Sequence, residues 1–235
     1  MTSKTSRTTL VSQLLLGLFL LVTVASSPVF AIKGYRPPDA LYKEIPPAQA
    51  AVMASPNSAD AHFELAMVYA YTGYIEEGWE ELKRVNELNA NYAAIAVPKY
   101  EALTKSDPTN WKYKFKLAFG YYFQDQKEKG QTQFQLILDQ DPNNIWAMGF
   151  LAFLKGESGD IPTAISLTKK ALTIEPHAPA LHFLLGTAYI KKGDYLAGGG
   201  EMMSYLSNRT RQRRLPEMKH PKALAVPTKS AQSAN

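Results

Sequence analysis

The 235-residue chain contains no cysteine. That excludes disulfides, thiolate metal sites, cysteine nucleophiles and a lipid-modified cysteine. Export to an oxidising compartment stays open, since a chain without thiols is indifferent to redox poise. Other absences narrow the field further. The four histidines, His62, His177, His182 and His220, show no metal-ligand spacing. No serine sits in a nucleophile elbow, and the Gly198-Gly199-Gly200 run lacks the Lys-Ser/Thr that completes a phosphate loop. Paired carboxylates do occur, as Glu76-Glu77 and Glu80-Glu81. They share a helix pattern with Lys83 and Arg84, which reads as a solvated, salt-bridged face rather than an acid-base pair. The sequence therefore points to no catalytic residue, no metal, no cofactor and no small-molecule substrate.

Acidic residues are missing from both ends. Residues 1–31 hold two bases and no acid, and residues 208–235 hold seven bases and only Glu217 as an acid. Removing these from the total of 26 bases and 21 acids leaves 17 and 20, so the body is mildly acidic and the basic character belongs to the ends. A nucleic-acid-binding body is disfavoured. At the N-terminus, Lys4 and Arg7 precede an apolar-biased run from Leu10 to Ala25 and a small-x-small site at Val29-Phe30-Ala31. This is the layout of an export signal cleaved after Ala31. It implies a periplasmic, thylakoid-lumenal or extracellular mature chain. The rival reading is an uncleaved anchor over residues 10–25, although about 16 residues fall short of the ~20 that span a bilayer.

Residues 32–58 carry Pro37, Pro38, Pro46, Pro47 and Pro56 and read as an extended linker, with Ala48 to Ala54 able to form a short helix. Beyond it a ruler appears. Asp107-Pro108, Asp141-Pro142 and Glu175-Pro176 repeat at intervals of 34 residues. A recurring proline marks recurring helix ends, because proline cannot continue a helix. Between the prolines, matched slots hold Leu65-Ala66, Leu117-Ala118, Leu151-Ala152 and Leu185-Gly186. Twelve residues after the small member of each pair come Gly78, Gly130, Ala164 and Gly198. Gly73, Asp125, Gly159 and Gly193 fall where each hairpin must turn.

This frame resembles the tetratricopeptide repeat, with its W-x₂-L-G-x₂-Y, A-x₃-F and P signature over 34 residues. The resemblance implies an all-α solenoid of about four helix-turn-helix units, near 59–92, 111–144, 145–178 and 179–212 within a domain of 59–212. Residues 93–110 are an 18-residue insertion that matches only the second-helix slots, so an extra helix near 95–105 is expected, with Pro98 at its start. The glycine run in the last unit predicts a frayed helix, at about 1 kcal/mol per glycine relative to alanine. Residues 213–235 read as a basic disordered tail.

The first helices carry a second apolar stripe, which the resemblance places on the concave groove. It comprises Phe63, Met67 and Tyr71; Phe115, Phe119, Tyr122 and Phe123; Trp146 and Phe153; Phe183 and Ile190. An open groove with so many aromatics implies a protein partner. For each single aromatic, packing in the core is the alternative, since periodicity does not separate a buried face from a ligand face. The groove lacks the asparagine and paired bases that grip a terminal carboxylate in chaperone-binding members of that family. Only Lys112 and Lys191 fall on it, so an apolar helix or extended segment is the expected ligand. Arg209, Arg211, Arg213 and Arg214 form a candidate anionic-surface tail, suited to solubility first, a membrane surface second and nucleic acid last. The functional expectation is a non-catalytic adaptor, scaffold or assembly factor; the alternative is a membrane-surface tether.

Overall fold

Each acid-proline pair becomes a helix stop followed by a start. In the computed structural model, which describes residues 34–214, Asp107, Asp141 and Glu175 each follow the last residue of a helix. The proline comes next, and the chain turns so that the amide of the residue three positions after the acid donates to the acid's carbonyl. That residue is Asn110 or Asn144 in two of the turns. Its side chain then accepts from a first-turn amide of the next helix, Lys112 N or Ala147 N. The third turn ends in Ala178, whose helix has no side-chain cap.

The described residues form an all-α solenoid of eleven helices. After extended residues 34–38 come α1 (Asp39–Tyr42), α2 (Ile45–Ala54), α3 (Ala59–Thr72), α4 (Ile75–Leu88) and α5 (Ala93–Ser106). These are followed by α6 (Trp111–Phe123), α7 (Lys127–Gln140), α8 (Ile145–Glu157), α9 (Ile161–Ile174), α10 (Pro179–Lys192) and α11 (Tyr195–Arg213). Helices α3–α4, α6–α7, α8–α9 and α10–α11 pair as hairpins, and α5 is the unpaired extra helix. The turn residues Gly73, Gly159, Gly193 and Asp125 all take left-handed φ, at 85°, 88°, 87° and 57°. Close approach within the hairpins is real. A Cβ on Gly130 would lie 3.0 Å from the carbonyl oxygen of Ala118.

Two expectations change. The segment expected as a linker holds α1 and α2 and packs onto the stack: Tyr35, Ile45 and Val52 are buried. Pro46 and Pro47 do not prevent this, because they occupy the first turn, where an N–H has no intrahelical acceptor. The glycine run does not interrupt α11, which continues through it to Arg213. The expected signal segment, residues 1–31, and residues 215–235 of the expected tail lie outside the described residues.

Packing along the array has one discontinuity. From α2 onward every consecutive pair of helices packs closely except α4 and α5. The gap falls at the 18-residue insertion, where the frame supplies one helix instead of two.

Candidate functional site

Most of the stripe expected to line an open groove is core. Phe63, Met67, Tyr71, Phe115, Phe119 and Trp146 are buried. Two elements cover them. Helix α5 lays Tyr92 and Tyr100 against Phe63, with ring centroids 5.2 and 5.8 Å apart. The N-terminal segment covers Trp146 and Tyr71: Tyr35 meets Trp146 edge-on at 5.5 Å, and Glu44 accepts from Tyr71 at 2.7 Å and pairs with Lys112. Phe115 and Phe119 meet Phe134 and Phe150 from the neighbouring helices edge to face. The chain thus fills its own groove along these positions.

An ionic network fixes α5 to its neighbours. Glu64 on α3 accepts from Tyr100 and Lys116 and pairs with Lys99, while Asp60 accepts from Tyr92 at 2.5 Å and Lys99 at 2.6 Å. Burial pushes the Glu64 carboxyl up, but the charge and hydrogen bond of Lys116, with Tyr100 and Lys99, outweigh it and hold Glu64 below the usual glutamate range. Burial beside that carboxylate drives the Tyr100 hydroxyl upward, so it remains a donor.

Tyr122, Phe123, Phe153 and Phe183 stay partly or largely exposed. Tyr122 bridges Phe123 and Phe153 through ring contacts of 5.3 and 5.4 Å. Phe123, 43% exposed, stands at the wall of a cleft of about 640 Å³ between α4 on one side and α5 and α6 on the other. This is the break in helix packing. Phe63, Ala96 and Gly120 also line the cleft, as do Leu82 and Val85. Trp79, 41% exposed, lines it from α4. Amides rim it, among them Asn86, Asn89, Asn91 and Gln124, and the Gln124 side chain donates to the Ala93 carbonyl at 3.1 Å.

Sequence reasoning missed Trp79. Its signal was a tryptophan inside a Glu-Glu-Gly-Trp-Glu-Glu run, an apolar group where the charged pattern leaves it no core to enter. The same run reads in sequence as one solvated face, and in the structure it divides. Glu80 pairs with Lys83 at 2.7 Å on the surface, but Glu81 is buried and holds His62 Nδ1 at 2.5 Å. Glu76 reaches the other end of the solenoid, where it accepts from Tyr205 and pairs with Arg209 and Arg213.

That contact also revises the basic tail. Arg209, Arg211 and Arg213 lie on α11 and Arg214 caps it, so none belongs to an irregular segment. Arg209 and Arg213 turn toward the carboxylates of α4, while Arg211 and Arg214 are exposed. Among the described residues no cluster of three or more His, Cys, Asp or Glu could hold a metal, and no helix is long and apolar enough to cross a membrane.

No family model matches the chain, and no curated protein matches it. Solved structures of MamA are similar in outline. One from Desulfovibrio magneticus RS-1 is 12% identical, covering 74% of this chain and 89% of its own, with a TM-score of 0.48. A second MamA structure is 18% identical, covering 73% of this chain and 90% of its own, with a TM-score of 0.42. These likenesses are distant, and the description of the fold as a helical solenoid rests on this chain's own hairpin packing.

Proposed function

We propose that the protein is a non-catalytic interaction adaptor that takes an apolar partner segment into the cleft between α4 and α5–α6. The observation that carries this reading is the break in consecutive helix packing between α4 and α5, coinciding with a cleft of about 640 Å³ walled by two half-exposed aromatics, Trp79 and Phe123. A solenoid ordinarily covers each helix with the next one. Here a partner helix or strand would supply the missing cover, with the apolar walls contributing affinity and the amide rim satisfying its backbone. We also propose that this happens after export, on the strength of the signal-like residues 1–31.

The test uses Trp79→Ala with Phe123→Ala. Neither ring is buried, so circular dichroism and melting temperature stay near those of the wild type, while partners cross-linked to the wild-type protein in its own cell envelope are lost. Retention of the same partners by the double variant would remove the cleft from the interaction.

A further inference from the structure

A second opening lies where the two ends of the solenoid meet. Pro179 and Phe183 on α10 and Tyr205 on α11 face Ile75 and Trp79 on α4 across a crevice of about 150 Å³. That is room for one benzene-sized apolar group. Phe183 packs on Tyr205 with centroids 5.5 Å apart, yet remains 38% exposed. Gln212 lines the same crevice. It is only 6% exposed, and its Nε2 has no acceptor among the described residues. A buried donor without an acceptor is unfavourable, and a bound oxygen would relieve it.

The charges nearby settle which kind of oxygen. Arg209 and Arg213 are matched by Glu76 and Glu77, so the site carries no net charge to be neutralised. Burial, followed by the hydrogen bond to Glu76, raises the Tyr205 hydroxyl to about 12, so it stays protonated and committed to that carboxylate. We infer that the crevice is a binding site for a leucyl- or benzyl-sized apolar group attached to a neutral carbonyl, with the apolar part between Trp79 and Phe183 and the carbonyl oxygen accepting from Gln212. An internal hydrophobic residue of a peptide presents this chemistry, and so does a free N-acylated amino-acid amide.

The full chain is titrated with N-acetyl-leucinamide, followed by tryptophan fluorescence. A saturable change is expected. Phe183→Ala, which replaces a partly exposed ring, weakens binding, and Gln212→Leu, which keeps shape and removes the donor, weakens it about fivefold or more. The uncharged amide binds more tightly than N-acetyl-leucine. A blocked Ala-Ala-Leu-Ala-Ala peptide that binds more tightly than the single residue assigns the site to a protein segment; one that fails to bind where the single residue succeeds assigns it to a small molecule. The inference is overturned by absence of saturation, by affinity unchanged in Phe183→Ala, or by preference for the free acid. Should Gln212→Leu fail to fold, Phe183→Ala alone decides. Trp79 lines both openings, but Phe183 and Gln212 lie outside the α4–α6 cleft and Phe123 lies outside this crevice, so Phe183→Ala and Phe123→Ala test the two readings separately.

Discussion

Three consecutive glycines in α11 should respond in opposite ways to the same substitution. A Cβ added at Gly199 or Gly200 meets no atom within 4 Å, whereas one at Gly198 would lie 2.6 Å from Ile190 Cγ1 and 3.1 Å from the Gly186 carbonyl oxygen. In a helix interior alanine is favoured over glycine by about 0.8–1.0 kcal/mol. Gly199→Ala with Gly200→Ala is therefore worth about 2 kcal/mol. For a domain of this length each kcal/mol moves the melting temperature by about 2–4 °C, giving a rise of about 4–8 °C if the solenoid melts as a unit. At Gly198 the same gain is opposed by overpacking of about 1–3 kcal/mol, because the carbonyl belongs to the partner helix and cannot rotate away. Net destabilisation follows. Thermal melts followed by circular dichroism measure the whole chain, and amide exchange within α11 locates the effect. The reasoning fails if Gly198→Ala stabilises as much as its neighbours, or if the double substitution lowers the melting temperature.

Phe119→Ala should cost about 3–5 kcal/mol in denaturant unfolding, since the ring is buried among three other phenylalanines, while Phe123→Ala on the same helix should cost under about 1 kcal/mol. His62→Leu removes both ring contacts, Nδ1 with the buried Glu81 carboxylate and Nε2 with the Pro56 carbonyl at 3.0 Å; a loss of about 1–3 kcal/mol is expected. His182→Leu, at the matching position of the last hairpin and more exposed, should lose less under the same denaturant assay. Because the folded state holds Glu64 below the usual value of 4.5, its contribution is complete above that pH and disappears as pH falls through the lower folded value. Urea midpoints measured from pH 6 downward should fall on the acid side of 4.5, and Glu64→Gln should flatten that limb while lowering the plateau.

The array of hairpins was legible because its determinants are local. A proline after an acid at each of three helix ends, an asparagine two residues later in two of them, and a glycine at three of the four hairpin turns all act within a few residues. The fate of the aromatic stripe was not legible for the opposite reason. Whether Trp146 lines a groove or a core depends on Tyr35, 111 positions earlier, and whether Phe63 is covered depends on how far α5 leans toward α3. Side-chain period records which helical face is apolar, not what comes to rest against it. Prolines misled in the leader to α3 because their meaning is positional: Pro46 and Pro47 forbid a helix interior but suit a helix start. Trp79 went unnoticed because a lone ring in a charged run has no period to betray it.

Repeat arrays are ordinarily quasi-one-dimensional, each unit bound only to its neighbours, so that their ends loosen first. The bridge from Glu76 to Tyr205 and Arg209 joins residues more than 120 positions apart and makes α4 a neighbour of α11. A linear chain of couplings becomes a closed circuit. Loss of α11 would then be felt not only by α10 but by the first hairpin, and disturbance could travel between the termini by two routes rather than one. The sparsely packed joint between α4 and α5 lies inside that circuit, so its two sides are also connected the other way round, through α11.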